Sequence, residues 1–390
     1  MLEATPLISP KPVTRSRDAT RLRGEVVYMY AFDIAYDMQR KQLGELLGQP
    51  VGTFSVDSTK RAPRQLFFYR PQMIRLPPAE KFGPHGIVRM ERVVKIMPVG
   101  AISITVKVPF EVDQLSDLVD FHELRFRDGS TVSDDAKLLG EQIRRELLPH
   151  LISPVQAISD VEAYTVFCIE GPLRKIYAGE EVDVSAEHWL QTHRRDVSAL
   201  LTQEPDADLL SAQEAEESSS KYFSYYQDDI CVIDWDAALI VDDPREFDEA
   251  LYIMELANLQ LAELEAYDRL LDESLERTYR DLGSQGLGRR RLGAVQKELR
   301  ELRVDSARIN DELSNITKFF GDWHLARLYQ GLAARFHLDD WNKSVRNKLQ
   351  ALDEIYQLIH ADSTNRIMIF LEVLIVLLFI FEVAKSFFDK

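Results

Sequence analysis

The sequence predicts an α+β protein: an N-terminal mixed α/β domain, then a region of long helices in coiled-coil or bundle packing, then a C-terminal transmembrane helix. Three observations predict it. Up to about residue 243, short runs rich in β-branched and aromatic residues alternate with Pro and Gly punctuation. Beyond Pro244, apolar residues recur at steps of three and four. Within 367–384, only Glu372 and Glu382 are not apolar.

Five segments follow: a disordered tail at 1–23, the α+β domain at 24–243, the helical region at 244–365, the membrane helix at 366–385 and a short tail at 386–390. Strands are expected at 24–33 and in QLFFYR, VRMERVVKIM, AISITVKVPF, AYTVFCIE and DICVIDWDAALIV. Helices are expected at 36–48, closed by Gly48, at 133–149 with Ser133 as cap, and at 185–202. The acidic, Ser-rich stretch 203–220 reads as an exposed loop.

In the helical region Phe247, Leu251, Met254, Asn258 and Leu261 begin a first helix that runs to about Leu282, where GSQGLG (283–288) breaks it. Val295, Leu299, Leu302, Ser306, Ile309, Leu313 and Ile316 give a second. A third starts near Trp323 and carries Val345, Leu349, Leu352, Tyr356 and Ile359 as a seam. These helices are expected to form an antiparallel bundle or a self-associating stalk. The spacing does not decide whether the partner helix belongs to the same chain or to a second copy in a homo-oligomer. Asn258 and Ser306 are polar seam positions of the kind that fix a pairing register, or partly exposed positions.

The 18 residues of 367–384 make a helix about 27 Å long, enough for a thin or average bilayer. Fourteen of them are Leu, Ile, Phe or Val, a gain of about 4–8 kcal/mol on insertion, against roughly 3 kcal/mol for an acidic residue at the span centre. Glu372 and Glu382 sit toward the two ends, and Arg366 and Lys385 bracket the run. The two glutamates fall about 80° apart around the helix, so they face a shared polar seam or mark the interfacial ends of the span. The alternative is a buried oligomer spine. No apolar stretch near the N-terminus reads as a signal peptide, so a single-span, tail-anchored protein is expected, in a bacterial inner membrane with the N-terminal domain cytoplasmic. The Arg-leaning character of 11–23 leaves a mitochondrial inner membrane as the alternative.

Composition excludes several function classes. With 47 Lys and Arg against 64 Asp and Glu, the net charge of −17 argues against nucleic-acid binding through the overall field. The local exception is Arg289, Arg290, Arg291, Lys297, Arg300 and Arg303, a basic run that suits anionic lipid or RNA, or forms a solvated helix face. Two cysteines, Cys168 and Cys231, build neither a disulfide framework nor a four-Cys metal site, and suit a reducing compartment. There is no phosphate-loop, dinucleotide, zinc-protease or hydrolase-elbow motif, so no cofactor and no catalysis are expected. His188 and His193 are five apart, the wrong spacing for two ligands on one helix face. The competing class is a membrane-tethered metal-dependent hydrolase or nuclease, with Asp234 and Asp236 on one face of a strand inside the densest acidic cluster.

Residues 328–382 resemble the C-terminal signature of the family that includes the "required for meiotic nuclear division" proteins. The matching positions are Leu328 and Tyr329, Asn347 to Leu349, Leu371 and Glu372, and Glu382, with Phe319, Phe320 and Trp323 similar to its upstream aromatic cluster. Val373 stands where that family usually has Trp, and the N-terminal domain departs from it widely. The resemblance implies a non-enzymatic, membrane-anchored protein that oligomerises. The resulting expectation is a scaffold or tether that recruits an unidentified protein partner to the bilayer.

Overall fold

The computed structural model describes residues 21–39, 41–53, 71–84, 86–97, 100–155, 158, 161–177, 180–283 and 323–388. Strand β1 (Leu22–Asp33) alternates between two buried faces. Val26, Tyr28, Tyr30 and Phe32 enter one core, while Val27 and Met29 enter a second on the other side. A strand covered on both faces must be apolar throughout, which is why β1 reads as an unbroken run.

The remaining strands are β2 (Ala35–Met38), β3 (Glu45–Leu46), β4 (Gln49–Pro50), β5 (Gly52–Thr53), β6 (Gln72–Gly83), β7 (Gly86–Ile96), β8 (Ala101–Val112), β9 (Leu151–Pro154), β10 (Glu162–Glu170), β11 (Arg174–Tyr177), β12 (Glu180–Asp183), β13 (Tyr222–Phe223), β14 (Ile230–Ile233) and β15 (Ala237–Asp242). Among the described residues nine of them form one sheet in the order β13-β14-β15-β10-β1-β8-β7-β6-β5. Its pairs are antiparallel except β10 with β15, where Thr165 stands beside Ala237 and Glu170 beside Asp242. The parallel pair requires a crossover, which carries the chain through several short helices.

One face of the sheet is covered by these helices and by one that precedes β10. Helix α1 (Val132–Leu147) buries Val132, Ala136, Leu139, Ile143 and Leu147 there, and its first turn is closed by a Thr131–Asp134 capping box. Helices α2 (Ala186–Thr192) and α3 (Arg194–Leu201) add Leu190, Val197 and Leu200. Helix α4 (Ala212–Ser218) is tied to α3 by Ser198 Oγ, which donates to the Ala215 carbonyl at 2.7 Å. The opposite face is covered by α5 (Phe247–Gly283), α6 (Trp323–Arg335) and α7 (Leu338–Phe388). The helices after Pro244 therefore share a core with the sheet: Phe247, Leu251 and Met254 pack with Val166, Cys168 and Ile240. Both cysteines are free and buried there, and burial raises both thiols.

One ion pair lies inside this layer. Glu255 of α5 is bound by Lys95 Nζ, accepts from Ser103 Oγ at 2.6 Å, and takes a longer bond from Thr105 Oγ1 at 3.4 Å. All four residues are buried, so the charges are matched with few water contacts.

Several expectations are corrected. The expected helix at 36–48 is β2 and the β3–β4 hairpin, whose turn residues Leu47 and Gly48 both take positive φ. Expected strand DICVIDWDAALIV is two antiparallel strands, β14 and β15, reversing at Asp234–Asp236. Expected helix 185–202 is broken at His193 into α2 and α3, and the cap of α1 is Thr131 instead of Ser133. The stretch 203–220 holds α4, with Ala215, Ser218 and Ser219 buried. A sharp turn at His337, φ 51°, divides the third expected helix into α6 and α7. The QLFFYR strand and the second expected helix, with Ser306, lie outside the described residues.

Candidate functional site: the apolar end of the last helix

The base of α7 is held in the body. Val345, Leu349 and Leu352 are buried in the same core as Leu271 of α5, with Leu275 packed against it. Ser344 Oγ donates to Asp268 at 2.9 Å, and Lys348 reaches Asp268 at 2.8 Å and Asp272 at 2.7 Å. Ser344 meets Asp268 and Lys348 meets both Asp268 and Asp272, so α5 and α7 run side by side in the same direction, as the first and third helices of an antiparallel bundle do; the second expected helix lies outside the described residues. Val345, Leu349 and Leu352, read as an oligomer seam or as one closed within the chain, are covered within the chain, where α5 supplies the facing apolar stripe. The side chains of Tyr356 and Ile359 lie outside the described residues.

Beyond the base, α7 continues as helix to Phe388. Met368 begins fourteen consecutive exposed residues ending at Phe381, of which only Glu372 is not apolar. The apolar members are 42–68% exposed, and they occupy every side of the helix. An amphipathic surface helix would hide one face; a helix apolar all round needs an apolar surround. Met368 is 16 residues past Leu352, about 24 Å along the axis. The side chains of Arg366, Glu382 and Lys385 lie outside the described residues, and among the described residues no helix is long and apolar enough to cross a membrane.

Asp234 and Asp236 stand in the β14–β15 turn. Asp234 pairs with Arg335 Nη2 at 2.9 Å and accepts from the Trp235 amide at 2.9 Å. Burial raises its carboxyl despite the guanidinium, and burial also raises Asp236. A carboxylate already committed to an arginine is a poor cation ligand, and among the described residues no group of His, Cys, Asp and Glu could hold a metal. Among the described residues the metal-site expectation has no geometry behind it. Arg289, Arg290, Arg291, Lys297, Arg300 and Arg303 lie outside the described residues.

A cleft of about 910 Å³ opens where β1 begins and β10 ends, between Arg21 and Arg23 on one side and α2 on the other. His188, Trp189 and His193 line it, and the Trp189 and His193 rings stack at 4.9 Å. Arg21 and Arg23 both reach Glu111, at 3.3 and 3.2 Å, and Arg21 also reaches Asp113 at 3.2 Å, so that wall is close to neutral. At the opposite end of β1 the carboxyl of Asp33 is pushed up to about 7 by burial, against the pull of Arg269. Glu162 is likewise raised to about 7, by burial and then by Glu265 and Asp236.

Sequence reasoning found the apolar end of α7 and missed the cleft, the Arg335–Asp234 pair and the exposed aromatic turn described below. The cleft residues are far apart in the chain, and no spacing links them. Trp189 and His193 carried a signal, since residues four apart share a helix face.

The fold and site define a helix-covered sheet body with a projecting helical arm. The chain belongs to the family described as Uncharacterized protein MJ0711, N-terminal domain, whose model matches residues 23–248. That range runs from β1 to the first turn of α5. A protein of Methanocaldococcus jannaschii described as Uncharacterized protein MJ0711 is 29% identical over 162 residues, 42% of this chain and 50% of that protein. The chain thus spans about half the length of this curated relative. No solved structure matches it.

Proposed function

We propose that the chain is a membrane-anchored, non-catalytic scaffold, with residues 366–385 of α7 as a single span and the sheet body presented on the cytoplasmic side to recruit a protein partner. The observation that carries this reading is the all-round exposure of Met368–Phe381 on a helix whose base is locked into the body. At about 25 cal/mol per Å², apolar surface on that scale is costly to leave in water. Lipid covers every face at once, as the pattern requires; the 14 described residues Met368–Phe381 give about 21 Å, and the 20 residues of 366–385 read from the sequence give about 30 Å, the thickness of the hydrocarbon layer. Glu372, four residues from the start of the exposed run, lies within reach of headgroups. The resemblance of 328–382 to the "required for meiotic nuclear division" family supports the same reading, including self-association in the membrane, which multiplies the local concentration of a recruited partner.

Carbonate extraction and vesicle flotation of the full chain, beside a version ending at Asn365, test it. The expected result is that the full chain floats with the vesicles and resists carbonate while the shortened one does neither. If both stay out of the membrane and the shortening instead dissolves an oligomer, the apolar end is an assembly core and the anchor reading fails.

A further inference from the structure

The sheet edge at β13 carries an aromatic surface whose shape is fixed from below. Asp229 is buried, yet it spends both carboxylate oxygens on the loop above it: one accepts from the Tyr225 amide at 2.7 Å, the other from the Tyr226 amide at 2.9 Å. Ser224 Oγ adds a bond to the Tyr226 carbonyl at 2.7 Å. What this network holds in place is two tyrosine rings turned outward, 64% and 50% exposed, meeting edge to face at 4.8 Å. A buried charge that orders exposed aromatics contributes nothing to core packing by doing so, and preorganised Tyr and Trp are what binding surfaces use.

Helix α6 extends the surface. Its His324 contacts Tyr225 at 5.7 Å, and its first residue, Trp323, is 76% exposed. About 18 Å along α6, Arg335 clamps the turn that presents Trp235, 47% exposed and 5.6 Å from His337. Exposed carboxylates flank both ends: Asp228 beside the tyrosines, and Asp236 and Asp340 beside Trp235. Lys343 pairs with Asp340 at 3.3 Å, Lys221 stands at the start of β13, and Arg327 lies over the Phe223 ring at 5.8 Å between the two ends. The last contact shows the surface already receiving a guanidinium on a ring face.

We infer that this ridge is the recruiting surface, and that its occupant is a basic, arginine-containing protein segment seated on Tyr225, Tyr226 and Trp235. Ring faces attract guanidinium groups; the flanking carboxylates of the ridge are matched by Lys221, Arg327 and Lys343, so it is the net charge of −17 of the whole chain that favours a cationic partner and disfavours an acidic one. The inference rests on the recruitment reading and names the chemistry of the recruited partner.

The test uses the full chain on phospholipid vesicles and two labelled peptides, one of alternating Arg and Ser, one of alternating Glu and Ser. The wild type is expected to bind the Arg peptide and not the Glu peptide. Tyr225→Ala with Tyr226→Ala is expected to weaken binding about tenfold, and Tyr225→Phe with Tyr226→Phe to retain it, since the ring face is kept. Unchanged binding in the alanine pair would assign the affinity to bulk charge and overturn the proposal, as would preference for the Glu peptide. Should the alanine pair fail to fold, tryptophan fluorescence of the wild type decides: the Arg peptide must perturb the exposed Trp235 and Trp323, and no change overturns the proposal. Flotation is read in the same samples. Peptide binding without flotation removes the anchor and keeps the surface; flotation without peptide binding does the reverse.

Discussion

Arg335 Nη2 lies 2.9 Å from the Asp234 carboxylate, and this contact ties the last residue of α6 to the turn between β14 and β15. Tyr164 braces the same turn by donating to the Asp234 and Ala237 carbonyls at 3.0 Å. Removing the guanidinium leaves a largely buried carboxylate without its counter-charge. Arg335→Ala is expected to cost about 3 kcal/mol in urea unfolding. Titration calorimetry of the unmodified chain with Mg²⁺ or Mn²⁺ is expected to show no site at Asp234; heat that vanishes in Asp234→Asn would restore the metal reading.

The Lys95–Glu255 pair leads to a second expectation. Glu255→Leu alone strands a buried ammonium and should destabilise by about 3–5 kcal/mol. Lys95→Met combined with Glu255→Leu removes both charges and should recover most of that loss, because neither charge is then left buried without its partner. Chemical denaturation of the two singles and the double forms the cycle; a double variant as unstable as the sum of the singles would contradict it.

Gly331 sets how closely α6 approaches the sheet edge. A Cβ there would lie 2.4 Å from Phe223 Cζ and 3.0 Å from Ile233 Cδ1. Gly331→Ala must displace the Phe223 ring, and about 1–3 kcal/mol of overpacking is expected despite the better helix propensity of alanine. A gain in melting temperature would show that the ring moves freely.

Asp33 makes stability depend on pH. Its folded value of about 7 lies above the 3.8 of an unperturbed aspartate, so the folded state holds the proton more tightly. The contribution is full below about pH 4 and fades as the pH rises through about 7. Asp33→Asn should therefore gain stability relative to the wild type between pH 5 and pH 8, by on the order of 2 kcal/mol. Parallel unfolding curves at both pH values would show that the carboxyl is not perturbed.

Much of the sheet was legible because burial on both faces leaves uninterrupted apolar runs, as in β1, β8 and β10. Strand β6 was not, because Pro77 and Pro78 read as breakers. They fall at the irregularity between Leu76 and Ala79, where the ladder to β7 skips the positions that lack an N–H. The β3–β4 hairpin was hidden by leucines at helical spacing, and only the positive φ of Leu47 and Gly48 reveals the turn. The seam of α7 was legible as a seam, and its partner was not, since periodicity records that a stripe is covered and not by which helix. The aromatic ridge joins residues nearly a hundred positions apart, from Tyr225 to Trp323, and no local pattern announces it.

Because Leu352 and Met368 belong to one unbroken helix, the arm carries orientation as well as reach. Deleting a single residue between them would lower the body by about 1.5 Å and swing it by about 100° around the helix axis. The direction in which the Tyr225 edge faces is thus set by the number of residues in the arm, much as the teeth of a key are set by the length of its shaft.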